Sequence, residues 1–565
     1  APQHFHGLQT PMSGDLESLL GIEGFSRRPG FDPRRDSVVR TEAARLRVRL
    51  SQYCAGGGAG DAVVIELPKG GYTPVFRGRE AAGERTAPGL KGARLRLGTR
   101  LRLTATLACL ALVLAVGGWW SAQNQRAPIP IAVLPLNNLS EDPANDYFAD
   151  GLTGEIIRDL STLEGLAVRS QTSSFAFKGK ARNVHEVGRQ LDAEYILEGS
   201  VLRAGQQPRI NVLLVRVRDD FPLWAGRFDR ELTDVFAIQD EISRGIVNGL
   251  RLKLGRGRRR YETSAEAYDL YLRALGYQPP PGGGQGQRIK LFEAVIAKDP
   301  TFAPGWAALA AQRALRSGSF RSDHAEEAAK MRAAAEKAIQ LDPLLAEAHD
   351  ALGMAHAREA QWEQSEKSFR RAIELDPSRS LSHGHFAMYL LLPLGRIEEA
   401  LREVRAAEKA DPLSPSVQYW LTYVLFSAGR LEEAAGHCEK VLPDRRSACL
   451  GRALSGQGRI GEAIRILEAD LNPSSNAWGA LGYAYGRAGR REEAEELAAA
   501  WQRDPLVHAM TFAGLGDKDR TLEALERMAA LGPFRVGRAL TFPELALLSG
   551  DPRVKALRNK VGLPE

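Results

Sequence analysis

The stretch AEAHDALGMAHAREAQWEQSEKSFRRAIELDP, residues 346–377, decides the fold of most of this chain. It supplies the small and large apolar residues of two helices packed as a hairpin. Gly353 lets the first helix pack closely, whereas Phe369 and Ala372 fill the gap to the neighbouring helix. Pro377 ends the second helix, because proline cannot continue a helix without losing a backbone hydrogen bond. The stretch therefore predicts a helical hairpin.

Asp-Pro and Gly-Arg pairs repeat this pattern along the chain. Asp-Pro occurs at 299–300, 342–343, 376–377 and 411–412, and the last three pairs are 34 and 35 residues apart. Gly-Arg at 395–396 and 429–430 is again 34 apart, and it recurs at 458–459 and 489–490 with a shorter period of about 30. This period is that of the tetratricopeptide repeat family. Residues 262–565 are identified as such an array, with about six to eight hairpins beginning at ETSAEAYDLYLRALGY.

The repeats predict a partner-binding groove. One hairpin cannot bury its apolar face alone, so the hairpins stack into a right-handed superhelix with a concave surface. The resemblance implies that this groove binds peptides or helices of partner proteins. Tyrosines on the first helices, which line the groove in this family, are the predicted partner contacts: Tyr389, Tyr419, Tyr423 and Tyr483. Packing between repeats is an equally open interpretation of each one.

Residues 127–255 predict a compact α/β domain with a mixed sheet. IPIAVLPL and GLAVRS are strands separated by the helix DYFADGLTGEIIRDLS, and NVHEVGRQLD is a second helix. Three further strands and the amphipathic helix VFAIQDEISRGIVNGLRLKL complete the order βαβαβββα. Acidic residues Glu141, Asp142, Asp146 and Asp150 lack the spacing of a calcium loop. A turn and the negative charge favoured at a helix N-terminus explain them better.

Several runs in this domain resemble the TolB amino-terminal-like (FlgO-like) family: IAVLPLNNLSEDPANDYFADGLTGEII, SQTSSFAFKG, ILEGSVLRAG and DVFAIQDEIS. That family occurs in bacterial cyclase-, kinase- and regulator-linked proteins, usually directly before tetratricopeptide repeats. The resemblance implies a binding or assembly domain outside the cytoplasm rather than a catalyst.

Residues 103–123, LTATLACLALVLAVGGWWSAQ, contain no Asp, Glu, Lys or Arg. About 20 apolar residues in a helix span a bilayer, and lipid would surround them. Lys91 and four arginines precede the run, whereas Arg126 alone follows closely. The positive-inside rule then predicts a single-pass protein of the bacterial inner membrane, with a cytoplasmic N-terminus and periplasmic C-terminal domains. A buried soluble helix is the alternative.

The N-terminal residues 1–79 predict a small α+β domain. In FDPRRDSVVRTEAARLRVRLSQYC, one helical face carries Leu46 and Leu50 and is expected to face a core. The opposite face carries Thr41 and Val48 flanked by arginines. ELPKGGYTPVF then predicts a hairpin. Helix, turn and hairpin resemble the second half of the OmpR-type winged helix, in which the helix reads DNA and the hairpin touches its backbone. The predicted DNA contacts are Arg40, Thr41, Arg45, Arg47, Arg49, Lys69 and Tyr72.

Three interpretations of this domain stay open: DNA binding, a protein-binding module of winged-helix shape, and a degenerate domain without a ligand. The chain begins at Ala1 rather than Met, so we expect a fragment or a processed form, and whether the domain is complete or truncated stays open. Residues 80–102 form a basic Gly-, Ala- and Arg-rich linker.

Composition sets the remaining limits. A chain of 565 residues with 26% charged residues and a net charge of +7 predicts several ordinary globular domains. Cys438 and Cys449 can pair or remain buried thiols, and two free thiols are the favoured interpretation. We find no nucleophile, paired acid and base, metal cluster or nucleotide loop, and therefore expect no enzyme, no metal and no cofactor.

The architecture resembles that of the CadC/ToxR-like membrane regulators. The leading hypothesis is a membrane-tethered transcription or signalling regulator whose repeats bind a partner and which can form a homodimer. The alternative is an envelope assembly scaffold with an N-terminal module that does not bind DNA.

Overall fold

The computed structural model describes residues 46–48, 50, 51, 53, 63–67, 75–78, 128–140, 142–163, 165–180, 183–204, 207–229, 235–250, 261, 263–277, 285–316, 324–470 and 474–564. The chain divides into two compact units, residues 1–117 and 118–565.

The first unit contains a short antiparallel hairpin. Strands β1 (Val63–Glu66) and β2 (Val75–Gly78) pair so that Val63 lies opposite Gly78 and Glu66 opposite Val75. The two strands of the hairpin predicted around residues 68–71 are thus present and paired. Helical backbone precedes it at residues 46–48, 50, 51 and 53. The remainder of the predicted winged helix lies outside the described residues, as does the linker 80–102.

The second unit begins with an α/β region, residues 128–250, built on a mixed sheet of strand order β5-β3-β6-β7-β8. Strand β3 pairs in parallel with β5 and β6, whereas β7 pairs antiparallel with β6 and β8, and the short β4 pairs with β6. The strands are β3 (Ile129–Val133), β4 (Asn137–Asn138), β5 (Leu166–Val168), β6 (Tyr195–Ala204), β7 (Gln207–Arg216) and β8 (Phe221–Asp229). The helices are α1 (Asp146–Ser161), α2 (Gln171–Phe175), α3 (Val184–Leu191) and α4 (Val235–Gly249).

Strand β3 shows why this sheet has helices on both faces. Successive side chains of a strand point to opposite faces. Ile131 and Val133 join the core formed with α1 and α4, whereas Ala132 and Leu134 pack on the other face with Leu191 of α3. The predicted element order and mixed sheet are confirmed. The structure adds the short strand β4 and the short helix α2.

The rest of the unit is a series of helical hairpins in which each helix packs on the next. The helices are α5 (Ala265–Gly276), α6 (Gln285–Lys298), α7 (Ala303–Arg316), α8 (His324–Leu341), α9 (Ala346–Arg358), α10 (Trp362–Leu375), α11 (Ser380–His385, continued by a π-helical turn, Phe386–Leu391), α12 (Ile397–Ala410), α13 (Pro415–Ser427), α14 (Leu431–His437), α15 (Pro443–Gly456), α16 (Ile460–Glu468), α17 (Ser475–Arg487), α18 (Arg491–Ala500), α19 (Pro505–Gly514), α20 (Lys518–Met528), α21 (Pro533–Ala539) and α22 (Pro552–Lys560). A 3-10 turn, Pro543–Leu548, separates the last two.

The residues that mark each repeat have the structural roles that the sequence predicts. A Cβ added to Gly353 would lie 2.8–2.9 Å from ring atoms of Phe369, so glycine permits the close approach of α9 and α10. Gly429, between α13 and α14, has a φ of 71°, a left-handed conformation that side chains disfavour. The α9–α10 turn carries Ala360 at a φ of 57° in the equivalent place. The tetratricopeptide prediction is confirmed.

The membrane part of the predicted fold class is wrong. Among the residues that the structure describes, no helix combines the length and the apolar character needed to cross a bilayer. The predicted span itself, residues 103–123, lies outside them. The predicted single-pass location in the inner membrane, with lipid around this segment, is contradicted by the same finding.

Candidate functional site: the repeat surface and the segments packed on it

Arg47 is the predicted DNA contact that the structure describes. Its side chain is half-buried, and its Nε donates a hydrogen bond of 2.9 Å to the carbonyl oxygen of Leu67, directly after β1. This bond ties the helical residues to the base of the hairpin. The other predicted DNA contacts lie outside the described residues: Arg40, Thr41, Arg45, Arg49, Lys69 and Tyr72.

The predicted faces of this helix are only partly correct. Val48 is 54% exposed, as expected for the outer face. Leu46 is 47% exposed, so its predicted place in a core is wrong. Helical periodicity identifies residues that share a face, but it does not identify which face another element covers.

Tyr389 lies beneath the C-terminal segment of the chain, which we define as residues 533–563. Its ring centre is 5.1 Å from that of Phe534 in this segment. The guanidinium of Arg358 lies 5.2 Å from the Tyr389 ring and 5.7 Å from the Phe534 ring. Arg358 is buried and donates to the carbonyl oxygen of Ala314 at 3.0 Å, and burial lowers the pKa of its guanidinium. The chain therefore covers this predicted partner contact itself.

Tyr389 is half-buried there, whereas Tyr423 is buried, at 5% exposed, with its ring centre 5.1 Å from that of Phe542 in the same segment. The guanidinium of Arg452 lies 4.2 Å from the Phe542 ring and donates two hydrogen bonds, of 2.7 and 3.0 Å, to the carboxylate of Glu544. Burial raises the pKa of Tyr423 to about 12. A buried, paired charge thus attaches the C-terminal segment to helices α13 and α15.

Tyr419 and Tyr483 are half-buried. The Tyr419 hydroxyl accepts a hydrogen bond of 3.1 Å from Nδ2 of Asn476, and the guanidinium of Arg445 lies 4.4 Å from its ring. Burial raises the pKa of Tyr483. Of the four predicted groove tyrosines, these two keep more exposed surface than Tyr423, and no observation shows a partner on any of the four.

The α/β region is held on the repeats through the turn between α12 and α13. The Oγ of Ser173 in α2 donates to the carboxylate of Asp411 and accepts a 2.8 Å hydrogen bond from the backbone N–H of Leu413. The N–H of Ser170 donates to the carbonyl oxygen of Ala410 at 3.2 Å. Asp411 is 1% exposed, and burial raises the pKa of its carboxyl.

This role of Asp411 departs from its place in the Asp-Pro series. Asp342 and Asp376 each accept a hydrogen bond from the N–H two residues later, at 2.9 and 3.1 Å, which is an Asx turn. At Asp411 the Ser173 hydroxyl stands between the carboxylate and the N–H of Leu413. The repeat period identifies Asp411 as a turn residue but contains no sign of this second contact.

A second contact joins the α/β region to the first repeat. Tyr271 of α5 donates to the carboxylate of Glu155 at 3.2 Å, and Arg158 donates to the same carboxylate at 2.5 Å. Gln239 of α4 donates to the hydroxyl of Tyr268 at 2.7 Å. Glu155 is 2% exposed, and burial raises the pKa of its carboxyl to about 7. Burial likewise raises the pKa of Asp376 to about 6.

The acidic residues of α1 and the turn before it have structural partners. Asp142 accepts a 2.8 Å hydrogen bond from the N–H of Ala144, and Asp146 accepts one of 2.9 Å from Nδ2 of Asn138. Asp150 accepts one of 2.5 Å from Lys178. The predicted turn role is confirmed for Asp142, and the helix-terminal role for Asp146, which lies in the first turn of α1. Asp150 lies in the second turn and pairs with Lys178 instead, and Glu141 lies outside the described part.

Cys438 and Cys449 form a disulfide, so the interpretation as two free thiols is wrong. The bridge joins the end of α14 to the middle of α15, and their Cα atoms are 5.6 Å apart. A spacing of 11 residues across a helix turn places them within bonding reach, which the sequence alone leaves open.

Two family models match the chain. Residues 127–244 match the second domain of HilA/YgeH-like transcriptional regulators, and residues 346–379 match the tetratricopeptide repeat. The chain therefore has a repeat-containing, regulator-like architecture, and its repeats indicate protein or peptide partners. The OmpR-type and TolB-like assignments are not among these matches.

One curated relative is putative adenylate cyclase 3 of Rhizobium meliloti (strain 1021), 49% identical over 149 residues. The match covers 26% of this chain and 25% of that protein, so the chain spans about a quarter of the length of this relative. The expectation that the chain is not an enzyme is contradicted by this finding.

Solved structures with similar helical arrays share little sequence with the chain. The human IFIT1 dimer with m7Gppp-AAAA is 15% identical, at a TM-score of 0.35, and the match covers 57% of this chain and 77% of that one. YrrB, a TPR protein with an unusual peptide-binding site, is 15% identical, at a TM-score of 0.23, with 41% and 96% covered. Likeness at this level carries no functional argument.

Proposed function

We propose that this chain is a transcription or signalling regulator that receives its input through a partner protein bound to the tetratricopeptide repeats. The observation that carries the proposal is the buried attachment of the regulator-like α/β region to the repeats through Ser173 and Asp411. Because this contact is buried and hydrogen-bonded, a partner that shifts α12 against α13 must strain it. Partner binding is thereby coupled to the α/β region.

The partner site of this proposal is the exposed remainder of the first helices around Tyr419 and Tyr483. Half-buried tyrosines combine an apolar ring with a polar hydroxyl and are frequent anchors at protein interfaces. Tyr423 takes part only if the C-terminal segment leaves it, because it is buried against Phe542, and Tyr389 is half-buried against Phe534.

In this proposal the regulator acts through DNA contact by residues 1–79. The resemblance of these residues to the winged helix supports this part of the proposal. Arginines flanking a slim helix face suit phosphate contacts on both sides of a groove. Arg45 and Arg49 carry this prediction, whereas Arg47 is engaged with Leu67. Self-association of two chains would place two such segments on one site, as dimeric DNA-binding proteins do.

A titration of the full chain against duplex fragments from upstream of its own gene, at two salt concentrations, tests this output. We expect dissociation constants below about 1 μM for preferred fragments, since non-specific binding is weaker. The double variant R45A/R49A should weaken binding to all fragments and reduce the slope of log affinity against log salt by about two.

The matched control is R465A, which removes an exposed arginine of α16 in the repeats. Wild-type affinity of R465A together with loss in R45A/R49A supports the DNA-contacting role. Binding that is weak, equal for all fragments and unchanged in R45A/R49A contradicts it and favours the alternative, an assembly scaffold that binds proteins only.

A second candidate function is adenylate cyclase activity, and the 49% identical relative favours it. Incubating the full chain with ATP and Mg²⁺ and measuring cyclic AMP tests this candidate. Sustained production that scales with protein concentration would establish it. Production no higher than in a heat-denatured sample would contradict this candidate function, and the 149 matched residues would then show similarity of sequence alone.

A further inference from the structure

A cavity of about 390 Å³ lies between the α/β region and the first repeats. Helix α1 and the start of α2 form one wall, and helices α5, α6 and α7 with the turns before α9 and α11 form the others. We call it the interregion cavity. Its volume is in the range of small-molecule sites, which often lie where two structural regions meet.

Arg288 differs from the other two arginines that line the cavity, which are paired with carboxylates, and the carboxyl group of Asp376 also lines the cavity. Arg158 pairs with Glu155 at 2.5 Å, and Arg379 pairs with Glu347 at 3.4 Å. Arg288 of α6 donates to the carbonyl oxygen of Tyr277 and has no carboxylate partner among the residues that the structure describes. Its buried Nε has no hydrogen-bond partner there either.

An unpaired, partly desolvated guanidinium is a recognition group for anions. Burial lowers the pKa of Arg288, because loss of water disfavours its charge. A carboxylate or phosphate would replace the hydrogen bonds to water that burial removes, and it can accept two parallel N–H bonds from a guanidinium. Among the described residues, Arg288 thus has no ion-pair partner at the cavity wall, whereas the lining carboxylates of Glu155 and Glu347 are paired with other arginines.

The wall next to Arg288 is apolar. Phe292 lies one helical turn after Arg288 on α6, and Ala308 and Ala311 of α7 line the same cavity with small side chains. The amides of Gln171 and Gln312 add hydrogen-bonding groups from opposite regions. Apolar surface beside placed polar groups is typical of sites that orient a small organic ligand.

We propose that the interregion cavity binds a small organic anion, whose carboxylate or phosphate pairs with Arg288 and whose apolar body lies along Phe292, Ala308 and Ala311. A ligand held there touches both the α/β region and the repeats. It therefore strengthens their attachment, independently of any partner on the repeat surface.

Saturation-transfer NMR on the full chain tests this proposal with three probes: benzoate, phenyl phosphate and the neutral benzyl alcohol. We expect at least one anion to bind with a dissociation constant below about 1 mM and benzyl alcohol to bind at least tenfold more weakly. A preference for phenyl phosphate identifies phosphate as the natural group, and a preference for benzoate identifies carboxylate. Failure of both anions to bind below about 10 mM overturns the proposal.

Two variants locate the binding. R288M should weaken the anion at least tenfold and leave benzyl alcohol unchanged, whereas A311F should weaken both, because a phenyl ring fills the cavity. R465M, on the exposed face of α16, is the matched control and should bind as wild type does. Circular dichroism melts establish that each variant is folded. Anion binding that survives both R288M and A311F places the site elsewhere and overturns the proposal, as does inorganic phosphate binding as tightly as phenyl phosphate.

Discussion

Arg452 and Glu544 show how a single pair attaches the end of the chain to its middle. Their side chains are 5% and 8% exposed and joined by two hydrogen bonds. Removing one partner leaves a buried charge without compensation, which costs about 3–5 kcal/mol. We therefore expect R452A to lower the free energy of unfolding by about that amount in urea titrations.

The control for this prediction is R459A, which breaks an exposed ion pair with Glu462 on α16. It should leave the urea midpoint unchanged, because exposed pairs contribute little. The double variant R452M/E544L should recover most of the stability, since an apolar pair can replace a buried ion pair. An R452A protein as stable as wild type would show that the C-terminal segment is not attached through this pair.

At the scale of elements, α1 brings a carboxylate into a buried interface. Glu155 faces Arg158 and Asp159 of its own helix, Tyr271 of α5 and Glu347 before α9. Burial raises the pKa of Glu155 to about 7 from 4.5, so the folded state holds its proton where the unfolded state has released it. This group favours folding below about pH 4.5, and that contribution is lost as pH rises to 7, by about 3 kcal/mol.

E155Q removes this titration, so its stability relative to wild type should rise by about 3 kcal/mol between pH 4.5 and pH 8. Urea titrations of both proteins at the two pH values measure the difference between their free energies of unfolding. Other titrating groups are common to both proteins, so their contributions cancel in this difference. E398Q, on an exposed site of α12, is the matched control and should differ from wild type equally at both pH values. A parallel pH dependence of E155Q and wild type would show that Glu155 is ionised throughout.

The disulfide belongs to the same scale, because it links α14 to α15. The two cysteines are 11 residues apart in the sequence. By the chain-entropy model, a bridge that closes a loop of this length stabilises the fold, so the free energy of unfolding of C438S/C449S should be lower by about 2–3 kcal/mol. Alkylation before and after reduction, followed by peptide mass analysis, checks the bridge. Both cysteines labelled without reductant would contradict it.

At the scale of the whole molecule, the C-terminal segment packs back onto earlier repeats, at Pro393 and Trp362. A Cβ at Gly537 of α21 would lie 2.5 Å from the carbonyl oxygen of Pro393 and 3.0 Å from Leu563. Nε1 of Trp362 donates to the carbonyl oxygen of Gly562 at 2.5 Å. We expect G537A to lower the free energy of unfolding by about 1–3 kcal/mol through overpacking.

G461A is the matched control for G537A. Gly461 is also helical, and a Cβ there meets nothing within 4 Å. Since alanine is the better helix former, G461A should gain up to about 1 kcal/mol. Thermal or urea unfolding compares the two variants, and equal stabilities would show that α21 does not pack on the turn at Pro393.

The sequence by itself determined the local elements. Asp-Pro and Gly-Arg spacing predicted the helical hairpins, Gly353 predicted a close helix contact, and the local patterns of residues 127–255 predicted the order of strands and helices along the chain. Each follows from the period of one element, which is set by backbone geometry. The predicted span at 103–123 depended on composition and flanking charge alone, and no described helix supports it.

Tertiary structure alone decided what covers each apolar face. Ser173 contacts Asp411, Tyr389 and Tyr423 pack against Phe534 and Phe542, and Arg288 has no ion-pair partner within the described part of the chain. These contacts join residues more than a hundred positions apart, or depend on what is missing nearby. Periodicity reports that a face is buried, whereas the partner that buries it is chosen by how the whole chain packs.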